Sequence, residues 1–466
     1  MTVQASIPYR SFNPNDGKLL REFDQITDAE LENKLAAANK AFRTWRTVPF
    51  AEKAAMMSRA AAILRAQEDR FASLVTREMG KLLVESRGEV QLSADILDYY
   101  ADNAERMMVP EPIATPQGEA FIESDPIGVL LGVEPWNFPY YQLARFAAPN
   151  IMAGNVVMVK HAESVPQCAV AFEELFAEAG APAGIYSNIF ASFDQVASLI
   201  DDPRIRGVAL TGSERAGSVV AAQAAKKLKK STMELGGSDA FVILEDADPA
   251  ETLKWALWGK MNNGGQCCVA AKRFIVVESR YDEFVEKFTA SMAALKMGDP
   301  TDPGTTLAPM SSEKAVLTLA DQVGRAVAAG ATLRLGGNRA ERPGYFFEAT
   351  VLTEIAPGNP AYYEELFGPV ALIFRVKDEA AAIELANDSP FGLGGSVFTT
   401  DIARGKRVAS QIDTGMVFIN HPTWTAPELP FGGVKNSGYG RELSGLGIQE
   451  FLNKKLIRVA TPNSAY

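Results

Sequence analysis

From Gly128 onward, short apolar runs of strand length alternate with segments long enough to form helices. This alternation is typical of βαβ units, in which helices cover a sheet of parallel strands. Strand candidates form a first series at residues 129–133, 156–160, 186–190 and 207–210, and a second at 241–244, 274–277, 371–376, 396–399 and 416–420. Two series predict two α/β domains, and 466 residues are too many for one ordinary core.

The region before this alternation is predicted to be helical. Thr27 and Glu30 form a capping-box pattern at the start of a first helix. Further helical stretches are predicted at about residues 51–78 and 85–107. The proline-rich stretch 109–116 ends this region, and residues 120–124 are predicted to form a short strand outside the main sheets.

Charge and composition exclude several classes of partner. A net charge of −11 argues against a nucleic-acid binder, which needs clustered Lys and Arg. The dense basic run at residues 226–230 follows an Ala-rich helical pattern, so we interpret it as a solvated helix end. We find no signal-peptide pattern, no apolar run of membrane-spanning length and no disulfide framework among three cysteines. We therefore expect a cytoplasmic protein with no nucleic-acid partner, no membrane partner and no metal site.

The usual nucleotide-binding fingerprints are missing, since neither G-x-G-x-x-G nor G-x-x-x-x-G-K-[ST] occurs. The nearest candidate is Gly212-Ser213, which follows a strand and precedes a helix that opens near Glu214. Backbone N–H groups and a hydroxyl at a helix N-terminus can meet a phosphate. An ordinary turn with a Ser cap explains this pattern equally well.

Three residues have the chemistry of an acyl-transfer site. Cys268 follows a glycine-rich segment, 263–267, that allows a ligand to approach the sulfur, although most single cysteines are buried and inert. Glu234 stands beside apolar residues and two glycines, where its pKa could rise enough for a general base; a helix cap or salt bridge is the alternative. Asn137 lies at the C-terminal end of the first parallel strand, where ligands bind in such sheets, and could donate to an oxyanion.

Over essentially its whole length, the chain resembles the aldehyde dehydrogenase superfamily. The matching motifs are, in order, Pro-Trp-Asn-Phe-Pro at 135–139, Lys160 with Glu163, Thr-Gly-Ser at 211–213, Glu-Leu-Gly-Gly at 234–237, Gly-Gln-Cys-Cys at 265–268, Glu-Leu-Phe-Gly-Pro at 365–369, and Pro-Phe-Gly-Gly at 430–433 followed by Lys435, Ser437 and Gly438. Their order and spacing make the resemblance very specific.

The resemblance implies a role for each matching residue. It makes Cys268 the nucleophile, Glu234 the general base and Asn137 the oxyanion donor, so that an aldehyde is oxidised through a thiohemiacetal and a thioester. The residues that it assigns to the cofactor are Trp136, Lys160, Glu163, Gly212, Ser213, Leu235, Glu365 and Phe367. Because Glu163 would accept hydrogen bonds from the adenosine ribose and repel a 2′-phosphate, we expect NAD to be preferred. Lys160 could offset part of this repulsion, so NADP is possible.

The resemblance also implies an aldehyde dehydrogenase fold. It consists of a Rossmann-like cofactor domain (1–109 and 133–232), an α/β catalytic domain (233–440) and a small β oligomerisation element (110–132 and 441–466). Such proteins form homodimers or homotetramers. The motifs around 234–239, 271–274 and 435–442 look most similar to bacterial succinate-semialdehyde dehydrogenases.

The substrate prediction depends on Arg145. Phe138, Gln142 and Arg145 are spaced to share one helix face that begins beside Asn137, so the guanidinium is expected to face the substrate tunnel. Arg binds carboxylates in a bidentate fork, which favours an anionic aldehyde such as succinate semialdehyde. Thr425 could assist and Phe431 could form an apolar wall. A surface or inter-domain salt bridge is the alternative for Arg145.

Other functions are compatible with parts of the pattern. Glutarate semialdehyde or a broad range of aliphatic and aromatic aldehydes are alternative substrates. A CoA-acylating dehydrogenase would not need the base Glu234, and a catalytically silent member would not need Cys268. A nucleotide-binding regulatory protein would have no use for the two together. NAD(P)H formation from an aldehyde, with and without CoA, distinguishes these functions.

Overall fold

The computed structural model describes residues 9–116 and 118–460. Its first elements are β1 (Tyr9–Phe12), β2 (Leu19–Phe23), α1 (Asp28–Trp45), α2 (Phe50–Ala66), α3 (Glu68–Met79), α4 (Leu83–Met107), β3 (Glu111–Pro112) and β4 (Glu119–Pro126). They are followed by β5 (Val129–Glu134), α5 (Pro139–Ala153), β6 (Val156–His161), α6 (Pro166–Glu178), β7 (Tyr186–Asn188), α7 (Phe193–Asp201), β8 (Ile205–Thr211), α8 (Glu214–Lys226) and β9 (Lys230–Glu234).

The second half of the chain begins with another parallel series. Its elements are β10 (Asp239–Ile243), α9 (Pro249–Met261), β11 (Ala271–Val277), α10 (Glu278–Ala293), α11 (Glu313–Ala328), β12 (Thr332–Leu335), β13 (Thr350–Thr353), β14 (Val370–Val376), α12 (Glu379–Asn387), β15 (Phe391–Gly392), β16 (Gly395–Phe398), α13 (Ile402–Ala409), β17 (Phe418–Ile419), β18 (Val434–Lys435), β19 (Gly438–Tyr439), α14 (Ser444–Gln449) and β20 (Leu452–Val459). Short 3-10 helices occupy Asn262–Gly265 and Pro360–Tyr362.

The N-terminal helices follow the prediction with one correction. The capping box at Thr27 is confirmed, since its Oγ1 accepts from the Glu30 N–H at 3.2 Å and its own N–H donates to Glu30 Oε2 at 2.9 Å. The continuous helix expected at 51–78 is wrong, because α2 and α3 are separated at Gln67. At this break the Gln67 Nε2 donates to Glu178 Oε1 at 3.0 Å, and its Oε1 accepts from Arg70 Nη1 at 2.7 Å.

The first sheet has the order β19-β9-β8-β5-β6-β7, in which all strands except β19 are parallel. The strand candidates of the first series are confirmed. The strand β9 was not predicted, and it ends at Glu234 beside Thr211 of β8. The carboxyl ends of β5, β8 and β9 therefore meet at one edge, just before the Pro-Trp-Asn segment and the N-terminus of α8.

The second sheet has the order β12-β13-β14-β11-β10-β16-β17 and is parallel except for β12. Alternate residues of β10 enter different cores: Phe241 and Ile243 pack on one face, and Ala240 and Val242 on the other. Both faces are buried, which explains why its strands read as continuous apolar runs. The predicted α/β class with two parallel sheets is confirmed.

A small antiparallel sheet, β20-β4-β3, joins the chain before β5 to the chain after α14. It confirms the strand expected at residues 120–124 outside the main sheets. The domain boundaries stay a prediction, and their parts at residues 1–8 and 461–466 lie outside the described residues. Among residues 9–116 and 118–460, no helix is long and apolar enough to cross a membrane.

Candidate active site

A cleft of about 400 Å³ opens at the carboxyl ends of the first sheet. It brings together most of the residues singled out from the sequence, although these lie far apart along the chain. The predicted site residues that line it are Trp136, Asn137, Gly212, Ser213, Glu234, Leu235, Cys268, Glu365 and Phe367. Lys160, Glu163, Arg145, Thr425 and Phe431 are not among its lining residues.

A left-handed turn after α9 positions Cys268 in this cleft. Asn263, Gly264 and Gly265 have φ values of 57°, 61° and 75°. A Cβ at Gly265 would lie 2.2 Å from the carbonyl oxygen of Gly368, so the turn requires glycine there. Beyond the turn, Cys267 is 4% exposed and packs in the core, whereas Cys268 lines the cleft.

Hydrogen bonds tie this turn to the segment that carries Asn137. The Nδ2 of Asn263 donates to the carbonyl oxygens of Asn137 at 2.8 Å and Gln266 at 3.0 Å. The Nδ2 of Asn137 donates to the carbonyl oxygen of Gln266 at 3.1 Å. An amide nitrogen has two N–H groups, so Asn137 keeps one for an oxyanion beside Cys268.

Glu234 is a buried carboxylate at the end of β9. It is 3% exposed, and within the described part of the chain neither oxygen has a hydrogen-bond partner. Burial, together with the nearby charge of Glu442, raises the pKa of Glu234 well above its usual range, against an opposing effect of Arg145. A raised pKa makes the deprotonated carboxylate a stronger base, which favours general-base chemistry.

The neighbours of Cys268 shift the pKa of its thiol in opposite directions. The neighbouring thiol of Cys267 and burial raise the pKa of Cys268 well above that of a free thiol. The positive charges of Arg145 and Lys272 act in the opposite direction. Because the thiolate is the nucleophile, the thiol must lose its proton before it attacks.

Two parts of the cleft have the chemistry of a dinucleotide site. Ser213 caps α8, where its Oγ accepts from the Ala216 N–H at 3.3 Å, and the free N–H groups of this helix end suit a phosphate. Glu365 is held by the Gly237 N–H, which donates to its Oε1 at 3.1 Å. A Cβ at Gly236 would lie 2.5 Å from Glu365 Oε2, so a larger residue there would displace this carboxylate. The rings of Trp136 and Phe367 meet edge to face at 5.7 Å.

Lys160 and Glu163 form an ion pair outside this lining. The Lys160 Nζ lies 3.3 Å from Glu163 Oε1, and the two side chains are 7% and 50% exposed. The ammonium also lies 5.2 Å from the centre of the Phe193 ring. The carboxylate of Glu163 is therefore partly neutralised and has room to turn toward solvent.

The three predicted substrate residues form one cluster around Tyr141. The Tyr141 hydroxyl is 2.9 Å from Thr425 Oγ1 and accepts from Arg145 Nη1 at 3.2 Å. The Arg145 guanidinium lies 4.6 Å from the centre of the Phe431 ring. Arg145 does not stand free in a tunnel as expected, because it is 2% exposed, pairs with Glu442 through Nε and donates to Thr211 Oγ1 at 3.0 Å. This arrangement matches the alternative of a salt bridge, which is buried and does not lie at the surface.

Glu442 and Lys272 have contacts at the site that sequence reasoning did not identify. Glu442 pairs with Arg145 and exchanges backbone hydrogen bonds of 2.8 Å with Phe431. Lys272 is fully buried in β11 and contacts Glu365. A charged residue inside an apolar strand pattern, as in Ala271-Lys272-Arg273-Phe274, was the available signal for Lys272.

Comparisons with known proteins agree with this geometry. The aldehyde dehydrogenase family profile matches residues 2–457. The succinate-semialdehyde dehydrogenase [NADP(+)] of Deinococcus radiodurans is 50% identical over 461 residues, which are 98% of this chain and 97% of that protein. The succinate-semialdehyde dehydrogenase [NADP(+)] 1 of Mycobacterium tuberculosis is 44% identical over 97% of this chain and all of its own length. The crystal structure of the Streptococcus pyogenes succinic semialdehyde dehydrogenase with NADP+ superposes with a TM-score of 0.96, at 46% identity over 97% of this chain and 100% of that chain.

The expected preference for NAD is wrong, because these relatives are named for NADP+ and one was crystallised with it. The prediction assumed that Glu163 repels a 2′-phosphate and that Lys160 offsets only part of this repulsion. In the structure, the ammonium of Lys160 lies against this carboxylate, and half of the Glu163 side chain is exposed. A phosphate can therefore meet a cation here while Glu163 turns away.

Proposed function

The chain belongs to the aldehyde dehydrogenase family, and we propose that it oxidises succinate semialdehyde to succinate with NADP+ as the electron acceptor. The observation that carries the proposal is the convergence of Cys268, Glu234 and Asn137 in one cleft with Glu365. This set combines a soft nucleophile, a base of raised pKa and a neutral hydrogen-bond donor. The names of the relatives support the choice of aldehyde and cofactor.

In this proposal, residues of the chain supply the nucleophile, the oxyanion donor and the base. Cys268 loses its proton to solvent and adds through sulfur to the aldehyde carbon, so that Glu234 stays deprotonated until water enters. The free N–H of Asn137 stabilises the oxyanion of the thiohemiacetal. After the carbon loses its hydride, the acyl group remains on Cys268 as a thioester. Glu234 then takes a proton from water, which attacks the thioester and releases the acid.

The residues around the cleft fit a bound NADP+. The N-terminus of α8 with Gly212 and Ser213 would hold the pyrophosphate, and Glu365 would hold a ribose. The ammonium of Lys160 supplies a cation for the 2′-phosphate, and the ring of Phe367 lies in the lining of the cleft. When bound, the cofactor supplies the acceptor of the hydride.

The anionic end of the substrate is proposed to meet Arg145. Each of its three nitrogens has one partner, yet a guanidinium carries five N–H groups, so two are left for a carboxylate. Its burial matches that of other site residues, since Asn137 is 5% exposed and Phe431 is 3% exposed. The substrate would share the guanidinium with Glu442.

We expect Arg145→Ala to lower kcat/KM for succinate semialdehyde by roughly 10–100-fold, because a charge-assisted hydrogen bond contributes about 1.5–3 kcal/mol. The loss toward uncharged butanal should be small. Steady-state kinetics with both aldehydes measure this difference, and a melting curve checks the fold. Equal losses on the two substrates would assign Arg145 to the internal salt bridge with Glu442.

The purified protein should form NADPH from succinate semialdehyde in the absence of CoA. We expect kcat/KM to be higher with NADP+ than with NAD+, and higher with succinate semialdehyde than with glutarate semialdehyde or butanal. Absorbance of the reduced cofactor measures all of these rates. Turnover that strictly requires CoA would contradict the proposal, because Glu234 would then have no hydrolytic role.

We propose that the chain assembles as a homodimer or homotetramer through the sheet β20-β4-β3. Leu456 and Val459 of β20 are 62% and 53% exposed, and Ile113 beside β3 is 41% exposed. Such apolar exposure at the margin of a small sheet suits a subunit contact.

A further inference from the structure

Lys272 connects the nucleophile segment to the carboxylate of Glu365. It lies in β11 with its side chain fully buried. Its Nζ donates to the carbonyl oxygens of Cys267 and Cys268, both at 2.8 Å, and lies 3.1 Å from Glu365 Oε1. The same Nζ lies 5.7 Å from the centre of the Phe367 ring. Three oxygens match the three N–H donors of an ammonium group.

The surroundings of this ammonium make its partners necessary. A buried charge is tolerated only when it is paired and hydrogen-bonded. The titratable groups that face Lys272 are Glu365, Asp239, Lys260 and the thiols of Cys267 and Cys268. Burial and the charge of Lys272 lower the pKa of Lys260 well below its usual range. Lys272 is therefore the ammonium that binds the nucleophile segment, while its neighbour Lys260 has no hydrogen-bond partner for its Nζ among the described residues.

We propose that Lys272 is a positioning residue that fixes the Cys268 backbone and the Glu365 carboxylate relative to each other. The proposal rests on the proposed function, in which Cys268 attacks the aldehyde and Glu365 binds the cofactor ribose. Lys272 and the Gly237 N–H both contact Oε1 of Glu365, which leaves Oε2 for the ribose. The orientation of the Glu365 carboxylate and the position of the Cys268 thiol thus depend on the Lys272 side chain.

The positive charge of Lys272 also acts on the reactivity of the thiol. It lowers the pKa of Cys268, against the larger effects of the Cys267 thiol and burial that raise it. Removing the charge should therefore reduce the thiolate fraction at a given pH. A purely structural lysine would not shift the pH profile of the thiol.

The first test measures alkylation of Cys268 by iodoacetamide in the cofactor-free protein, followed by mass spectrometry across pH. In Lys272→Met we expect roughly tenfold slower alkylation near pH 7.5 and a midpoint at higher pH. Lys272→Arg keeps the charge and should keep the midpoint near that of the wild type. Lys53→Met is the matched control, because Lys53 is 3% exposed and packs on the Trp45 and Phe50 rings outside the site.

The second test is a double-mutant cycle on the Kd for NADP+, measured by calorimetry. Lys272→Met alone should weaken binding roughly tenfold. If Lys272 acts through Glu365, the variant Lys272→Met/Glu365→Gln should bind NADP+ no more weakly than Glu365→Gln alone. Melting curves identify any variant that fails to fold, and Lys272→Gln, which keeps a donor without the charge, then replaces Lys272→Met.

The proposal would be overturned if folded Lys272→Met or Lys272→Gln kept the wild-type pH profile of alkylation. It would also be overturned if the losses in NADP+ affinity from the Lys272 and Glu365 substitutions multiplied in the double variant. Neither measurement requires turnover. A wild-type protein that fails to oxidise succinate semialdehyde would contradict the proposed function, while the alkylation and binding results would still decide the role of Lys272.

Discussion

Replacing Cys268 by Ala should reduce NADPH formation by roughly 10⁴–10⁶-fold, because the covalent route to product disappears with the nucleophile. Cys267→Ala should retain most of the activity. The two sulfurs are adjacent in sequence but lie in different surroundings: Cys267 packs in the core at 4% exposure, and Cys268 lines the cleft. Steady-state rates with succinate semialdehyde and NADP+ measure both effects.

The Cys267→Ala variant is the matched control for this experiment, since it removes the same atoms one residue away. Both variants should bind NADP+ with an affinity near that of the wild type. Their melting temperatures show whether the loss of activity comes from chemistry or from the fold. An inactive Cys267→Ala beside an active Cys268→Ala would exchange the roles of the two cysteines.

The backbone architecture followed largely from apolar patterning, and its exceptions have local causes. Strands buried on both faces, such as β10 and β11, appear as continuous apolar runs. The strand β9 was not predicted, because it begins at Lys230, the last residue of a basic run, and so does not appear as an apolar run. The break at Gln67 carries neither Gly nor Pro, so nothing in the local sequence marked it.

The members of the site were identifiable from motifs, but their partners were not. Arg145 and Glu442 are separated by almost 300 residues, and only the folded chain shows that they pair. The error over the cofactor has a similar cause, because the sequence predicted only a partial effect of Lys160, whereas its ammonium lies 3.3 Å from the Glu163 carboxylate in the folded chain. The sequence shows Lys272 only as part of the motif at 271–274, whereas its proposed role depends on contacts with Glu365 and two carbonyl groups.

Replacing Glu234 by Gln should slow steady-state turnover by roughly 10²–10⁴-fold, the usual effect of removing a general base. The amide keeps the shape of the side chain and cannot accept the proton from water. If deacylation becomes the slow step, each active site should release one NADPH in a burst before the slow phase. Rapid-mixing absorbance measures the burst, and intact-protein mass should show an acyl group on Cys268.

The role of Glu234 as a base also predicts how the turnover rate depends on pH. Burial and the charge of Glu442 raise the pKa of Glu234, and only its deprotonated form acts as a base. The rate of the wild-type enzyme should therefore rise as the pH increases through the pKa of Glu234. At pH values below that pKa, the carboxyl is protonated and the rate should be low. The deacylation rate of Glu234→Gln should lack this step.

Glu134→Gln is the matched control for Glu234→Gln. Glu134 ends β5 at 3% exposure, neither of its oxygens has a hydrogen-bond partner within the described residues, and burial also raises its pKa well above the usual range. It lies outside the lining of the cleft, so its replacement should leave deacylation near the wild-type rate.

Hydroxylamine separates a defect in hydrolysis from a defect in thioester formation. It attacks thioesters without help from a general base, so it should restore turnover in Glu234→Gln after the burst. Absence of both the burst and the rescue would mean that Glu234 is needed earlier, to take the proton from Cys268, whose pKa the neighbouring Cys267 thiol and burial hold high. Full turnover without hydroxylamine would exclude Glu234 as the base, because the cleft would then activate water by another group.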